Sequence, residues 1–242
     1  VKRVATDNEK LSSGISISGD QGVRIGILAV QGDFAAHAAM LEGMGLETVE
    51  VRTPADMEGC DGLILPGGES TTQLQFLQEE GLAETIKRFA ADGHAVFGTC
   101  AGAILLATDV ENPKQESLGL LDMTVLRNGY GRQIASDVFS AKSTLKEEPL
   151  EMVFIRGPII ERTGPGIEIL AKHAGKPAIV RKGRLLATTF HPELTSDTTV
   201  HKYFLKLAAE SRNNSGKTNG VKPKAAKPDR SKRELTTAKS SK

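Results

Sequence analysis

The stretch V-R-I-G-I-L-A-V, from Val23 to Val30, is a nearly unbroken β-branched and aliphatic run, and after Gln31-Gly32-Asp33 it gives way to helical spacing over Phe34 to Met44. Such a run is a strand buried on both faces, which requires a sheet with helices on either side and so points to parallel strands. The pattern then repeats. Thr48 to Arg52 and Gly62 to Leu65 read as strands, the second closed by Pro66-Gly67-Gly68, and a helical region from Thr71 to about Ala91 breaks near Gly81. Ala95 to Phe97 is a fourth strand that leads through Gly98-Thr99-Cys100 into a helix over Ala101 to Ala107. Alternation at this spacing implies βαβ units with right-handed crossovers.

The second half changes character. Met123 to Leu126, Met152 to Ile155, Ile167 to Ala171, Ala178 to Arg181 and Leu185 to Phe190 are short strands with little helix between them, read as an antiparallel extension and an edge to the sheet. A last helix spans roughly Ser196 to Glu210, with Thr195 or Ser196 as its N-cap. The expected fold is α/β, with a mostly parallel central sheet flanked by helices.

Charge marks the boundaries of this domain. Of 31 basic and 30 acidic residues, ten and two fall in Ser211 to Lys242, so the tail carries +8 and the remaining 210 residues carry −7. The tail has no aromatic residue and almost no aliphatic one, and residues 1 to 22 are polar and rich in Ser, Gly and Asp. Neither can bury enough apolar surface to offset the entropy of ordering. The expected organisation is therefore a flexible extension over 1–22, one domain over 23–210 and a basic disordered tail over 211–242. No apolar run approaches the ~20 residues of a membrane span. Two cysteines, Cys60 and Cys100, exclude a disulfide-framed scaffold and a Cys-rich zinc module and fit a reducing compartment, so a cytoplasmic location is expected.

Three motifs carry chemistry. G-T-C-A-G, Gly98 to Gly102, lies at a strand-to-helix junction. A nucleophile there sits on a tight turn that forces its side chain outward, while the flanking glycines let strand and helix approach. The start of a helix favours thiolate at Cys100, and the amide of Ala101 is placed to donate to an oxyanion. F-H-P-E, Phe190 to Glu193, ends a downstream strand, where His191 and Glu193 would project to one side of an extended segment that Pro192 keeps from becoming helical. A thiol needs such a base, and the base needs a partner to hold its tautomer. L-P-G-G-E-S-T-T, Leu65 to Thr72, closes another strand, and Gly67-Gly68 can turn a second amide into the site. In open α/β sheets ligands bind beyond the carboxyl ends of the strands, so the three motifs converge on one crevice.

Together these blocks resemble the class I (triad) glutamine amidotransferases, a flavodoxin-like fold, and more narrowly the glutaminase subunits of pyridoxal 5′-phosphate synthase, the Pdx2/SNO family. The resemblance covers about Val23 to Glu210 and includes R-N-G-Y-G-R-Q (Arg127 to Gln133) and V-F-I-R-G-P (Val153 to Pro158). It implies hydrolysis of L-glutamine to glutamate and ammonia through a γ-glutamyl thioester on Cys100, with His191 protonating the ammonia and Glu193 orienting His191. It also implies an oxyanion hole from Gly68 and Ala101, and glutamine contacts from Gly68, Glu69, Ser70, Arg127, Ile155 and Arg156. The implied partner is a (β/α)8-barrel synthase subunit that receives the ammonia, in an assembly of twelve barrels with up to twelve glutaminases. No cofactor, metal, membrane or specific nucleic acid is implied. The departures from the family pattern are Gly157, where Ala is usual, and Ile134 to Ser140.

Other positions carry less. Gln31 is a candidate for signalling between site and partner, and His37 either faces the partner or is a surface or satisfied histidine. Cys60 reads as a packed thiol, and His94, His173 and His201 have no metal-ligand spacing. Two alternative functions are a triad glutaminase serving another synthase, such as imidazole glycerol phosphate synthase, and a non-catalytic relative whose basic tail binds polyanions.

Overall fold

The computed structural model describes residues 22–129 and 137–218. In chain order its strands are β1 (Ile25–Leu28), β2 (Thr48–Val51), β3 (Gly62–Leu65), β4 (Ala95–Thr99), β5 (Ala107–Glu111), β6 (Leu121–Leu126), β7 (Asp137–Ala141), β8 (Leu150–Phe154), β9 (Ile159–Thr163), β10 (Glu168–His173), β11 (Lys176–Lys182) and β12 (Leu185–Thr188). The α-helices are α1 (Phe34–Gly43), α2 (Ser70–Glu79), α3 (Leu82–Ala91), α4 (Ala101–Leu106) and α5 (Thr199–Thr218).

Seven strands form the main sheet in the order β10-β11-β12-β4-β3-β1-β2. The five from β12 to β2 are parallel, and β10 and β11 extend them antiparallel. The continuous apolar strands follow from this arrangement. Leu63, Leu65 and Val96 face one core with α2, α3 and α4, while Ile25, Ile27, Ile64 and Phe97 face the other with α1 and α5. Alternate residues of a strand serve opposite faces, so both must be apolar when both are covered. Phe97, Phe190 and Phe204 are fully buried in the second core, each removing side-chain area worth roughly 1.5–3 kcal/mol.

The antiparallel half divides more than its sequence suggests. Only β10 and β11 join the main sheet; β5, β6 and β9 form a three-stranded sheet and β7 pairs with β8. β5, β7 and β9 go beyond the strands expected from the sequence, because A-T-D-V-E and D-V-F-S-A are mostly exposed and so lack the apolar alternation that marks a strand. Helix α5 begins at Thr199, where Asp197 Oδ1 accepts from the Thr199 amide at 3.0 Å, and it runs to Thr218 rather than ending at Glu210. Ser211 is buried, its hydroxyl 2.7 Å from the Ala208 carbonyl and 3.0 Å from that of Asp61, so its surroundings are those of the domain. The N-terminal extension to residue 21, residues 130–136 with most of the R-N-G-Y-G-R-Q block and part of the Ile134 to Ser140 departure, and the tail from residue 219 lie outside the described residues. No helix among the described residues is long and apolar enough to cross a membrane.

Candidate active site

Cys100 follows β4 directly and has φ 48° and ψ −103°, a backbone conformation that costs a non-glycine residue energy and turns the side chain out of the strand. The flanking glycines make this turn possible by contact. A Cβ on Gly102 would lie 1.9 Å from the Leu65 carbonyl oxygen, and one on Gly98 would lie 2.5 Å from the Gly102 backbone. Helix α4 therefore packs against β3 and β4 at a separation that only glycine allows.

His191 stands two residues beyond Thr189, its amide donating to the Val153 carbonyl at 2.8 Å. The F-H-P-E segment is not extended. Pro192–Leu194 forms a 3-10 turn with His191 at its N-cap, because proline's fixed φ suits the first helical position and its missing N–H is not needed there. His191 and Glu193 still meet, with Nδ1 and Oε1 2.8 Å apart. Asp33, at the start of α1, brings Oδ2 to 3.3 Å from the same nitrogen. Asp33, His191 and Glu193 thus present ligand-type atoms within 4.8 Å of one another, but both carboxylates converge on one imidazole nitrogen rather than on a common centre. Gly67 leaves the ring its space, since a Cβ there would be 2.3 Å from His191 Cε1.

Burial by itself would lower the proton affinity of His191. Hydrogen bonds to Cys100 and Glu193, with their charges, outweigh it and push its pKa from 6.5 up to about 10. Glu193 is buried, and desolvation raises its pKa against the lowering effect of His191. An imidazolium held between a thiolate and a carboxylate is the ground state of an activated cysteine.

A cleft of about 200 Å³ opens on Cys100, lined by Gly68, Glu69, Ser70, Ala101, Arg127, Ile155 and Arg156, all drawn from the motif regions and the R-N-G-Y-G-R-Q and V-F-I-R-G-P blocks. Ile104, Asn128 and Pro158 complete the lining and were not foreseen as contacts. Glu69 caps α2, its Oε2 accepting from the Thr72 amide at 2.8 Å, while its Oε1 lies 2.8 Å from Arg127 Nη2. Backbone bonds from Thr72 and Thr71 overcome desolvation and hold the Glu69 carboxyl below its ordinary pKa. Gln31 Nε2 donates to the Glu69 carbonyl at 2.8 Å, which ties the V-Q-G turn to this wall. Arg156 has φ 47°, and the neighbouring Gly157 has no room for a Cβ, which would be 2.5 Å from the Thr189 carbonyl oxygen. A larger cavity of about 410 Å³ at the amino ends of the strands, lined by His94, Arg181, Lys182 and Arg184, holds none of the motifs.

The weaker candidates resolve differently. Cys60 is a buried thiol whose Sγ lies 3.6 Å from the Asp56 carbonyl, and burial raises its pKa. His94 stacks on Phe89 with ring centroids 4.3 Å apart, and His173 packs against Phe139 at the same separation. His37 is fully buried and faces neither solvent nor any surface a partner could reach. Its grouping with Asp33 and His201 has no signal in the sequence, because nothing local connects α1, α5 and the F-H-P-E turn; only the fold brings them together.

A mostly parallel α/β sheet with a strained cysteine at a strand–helix elbow and a His–Glu pair beyond the neighbouring strand is the architecture of a class I glutamine amidotransferase. A solved structure described as a glutamine amidotransferase is 44% identical, with a TM-score of 0.72 over 76% of this chain and 98% of that one. A GMP synthase component from Thermoplasma acidophilum shares the fold at 16% identity and TM-score 0.61 over 80% of this chain and 98% of its own. Residues 27–210 match the SNO glutamine amidotransferase family, and the chain belongs to it. Its curated relatives include the pyridoxal 5′-phosphate synthase subunit PdxT of Koribacter versatilis, 51% identical over 76% of this chain and 95% of that protein. The PdxT of Thermotoga neapolitana is 48% identical over 76% of this chain and 99% of its own length.

Proposed function

We propose that this chain is the glutaminase subunit of a pyridoxal 5′-phosphate synthase, active in vitamin B6 biosynthesis in the cytoplasm. Cys100, Gly68, Ala101, Glu69 and Arg127 line one cleft that His191 and Glu193 back from behind, and this convergence carries the reading. An amino-acid substrate needs a cation for its α-carboxylate and an anion for its α-ammonium group, and Arg127 and Glu69 offer both at the cleft mouth. Gly68, Ser70, Ile155 and Arg156 complete the contacts to glutamine.

In this reading the Cys100 thiolate attacks the side-chain carboxamide carbon of L-glutamine, forming the C–S bond. The amides of Gly68 and Ala101 hold the oxyanion. His191 gives its proton to the nitrogen as the C–N bond breaks, and ammonia leaves a γ-glutamyl thioester. His191 then takes a proton from water, which attacks the thioester and releases glutamate and the thiolate. Glu193 holds the ring and stabilises its cationic form. Ammonia passes to a (β/α)8-barrel synthase subunit in an assembly of up to twelve of each. Docking that completes the oxyanion hole would prevent idle hydrolysis.

The test is glutamate release from L-glutamine with and without such a barrel protein. Release by the wild type with the partner, abolished in Cys100→Ala, is expected. Equal rates for wild type and Cys100→Ala under both conditions would sink the catalytic reading.

A further inference from the structure

Beside the triad lies a second pair of histidines that the chemistry above does not use. His37, on α1, and His201, on α5, are fully buried, with His37 Nδ1 2.9 Å from His201 Nε2. On its other side His37 Nε2 lies 3.1 Å from Thr99 Oγ1, in the residue before the nucleophile, and 3.4 Å from Glu193 Oε2. Glu193 uses Oε1 for His191, and its Oε2, also buried, has no hydrogen-bond partner of ordinary geometry among the described residues. His201 Nδ1 is likewise buried and unpartnered among them.

These contacts choose a tautomer. Desolvation holds the pKa of His37 well below the ordinary value, with the charges of His201 and His191 adding to it, and lowers that of His201 to about 4. Both rings are therefore neutral at pH 7, with one N–H each. If His37 carried its proton on Nδ1, its Nε2 lone pair would face the Glu193 carboxylate, and His201 would bury an N–H with nothing to accept it. With the proton on Nε2, His37 donates toward Thr99 and Glu193, and His201 donates from Nε2 to His37 Nδ1. The atom left over is then a bare ring nitrogen, which costs less than a buried N–H without an acceptor.

We propose that His37, held in its Nε2–H tautomer by His201, is a positioning residue that fixes the second oxygen of Glu193 and keeps that carboxylate ionised against His191. The reading rests on the proposed triad. Without the His37 donor the buried Glu193 is free to take up a proton, and a neutral Glu193 no longer supports the His191 imidazolium. The groups facing His37 are His201 from α5, Glu193 and His191 from the 3-10 turn, and Thr99 from β4, with Asp33 beyond His191. Of these only the Glu193 carboxylate gains from an Nε2–H donor and changes charge in response to its loss.

The experiment compares wild type with His37→Phe, His37→Gln, His201→Leu and His201→Gln in two assays. One is glutamine turnover with the barrel partner. The other is the rate of Cys100 alkylation by iodoacetamide against pH, which needs neither glutamine nor partner. His37→Phe is expected to lower kcat about 10- to 100-fold with KM little changed, and to move the acid limb of the alkylation profile to higher pH. His37→Gln and His201→Gln, whose amides can donate from a similar position, should recover most of that loss, and His201→Leu should not. Nitrogen-15 NMR of labelled histidine at pH 7 should show His37 neutral and protonated on Nε2. A protonated or Nδ1–H His37, or an unshifted alkylation profile in folded His37→Phe and His201→Leu, overturns the proposal. If the histidine variants do not fold, the wild-type tautomer still decides it. Failure of the wild type to turn over glutamine counts against the function proposed above, while the alkylation and NMR results still judge His37.

Discussion

The two walls of the cleft are built differently. The wall behind Cys100 is buried, and its groups are held before substrate arrives: the elbow by glycine contacts, His191 by the 3-10 turn and the Val153 carbonyl, Glu193 between imidazoles. At the mouth, Glu69 and Arg127 are paired to each other, and the Glu69 side chain is 51% exposed. A group that must carry out chemistry gains from being fixed in advance. A group that must receive a charged substrate can satisfy itself with a neighbour and exchange that neighbour for the ligand. Damage to the back wall should therefore appear in kcat and damage to the mouth in KM.

The largest effect should come from Gly67→Ala. The new Cβ meets His191 Cε1 at 2.3 Å, so the ring must move, and a displacement on the order of 1 Å costs about 100-fold in kcat. Circular dichroism should show the fold retained, because the clash falls on a side chain. Arg127→Ala comes next. Losing a charge-assisted contact to the substrate carboxylate should raise KM about tenfold or more, with a smaller change in kcat. If kcat alone falls, the contrast between the walls is wrong.

A smaller effect is the pH dependence of stability. His191 binds its proton more tightly in the folded protein, its pKa being raised from 6.5 to about 10, so its contribution is complete below pH 6.5 and is lost as pH rises toward 10. The difference in Tm between wild type and His191→Gln should shrink across that window; a gap that widens would reverse the assignment of charge. Smallest of all, a chain ending at residue 218 should keep the wild-type turnover with the barrel partner, whereas ending it at residue 210 should lower Tm, because Ser211 is buried against Ala208 and Asp61.

Much of the site is legible locally. G-T-C-A-G names both the nucleophile and the glycines that its elbow needs, since φ, ψ and a missing Cβ are properties of a few consecutive residues. The parallel strands are legible because burial on both faces leaves a continuous apolar run, whereas β5 and β7, mostly exposed, leave no such trace. Pro192 signals an extended segment because proline stops a helix in its middle, yet the same fixed φ begins a 3-10 turn.

By itself the sequence determined which residues can do the chemistry and on which sheet edge they stand, because motif and strand end lie within a few residues of each other. Only the tertiary structure decided what stands behind them. Asp33 and His37 come from the start of α1 and His201 from α5, 164 positions beyond His37, and nothing short of packing both helices on the face that holds Phe97 brings them to the triad carboxylate. The protonation states that govern the site depend on that packing, since desolvation and the distance to a neighbouring charge are properties of the fold and not of any segment.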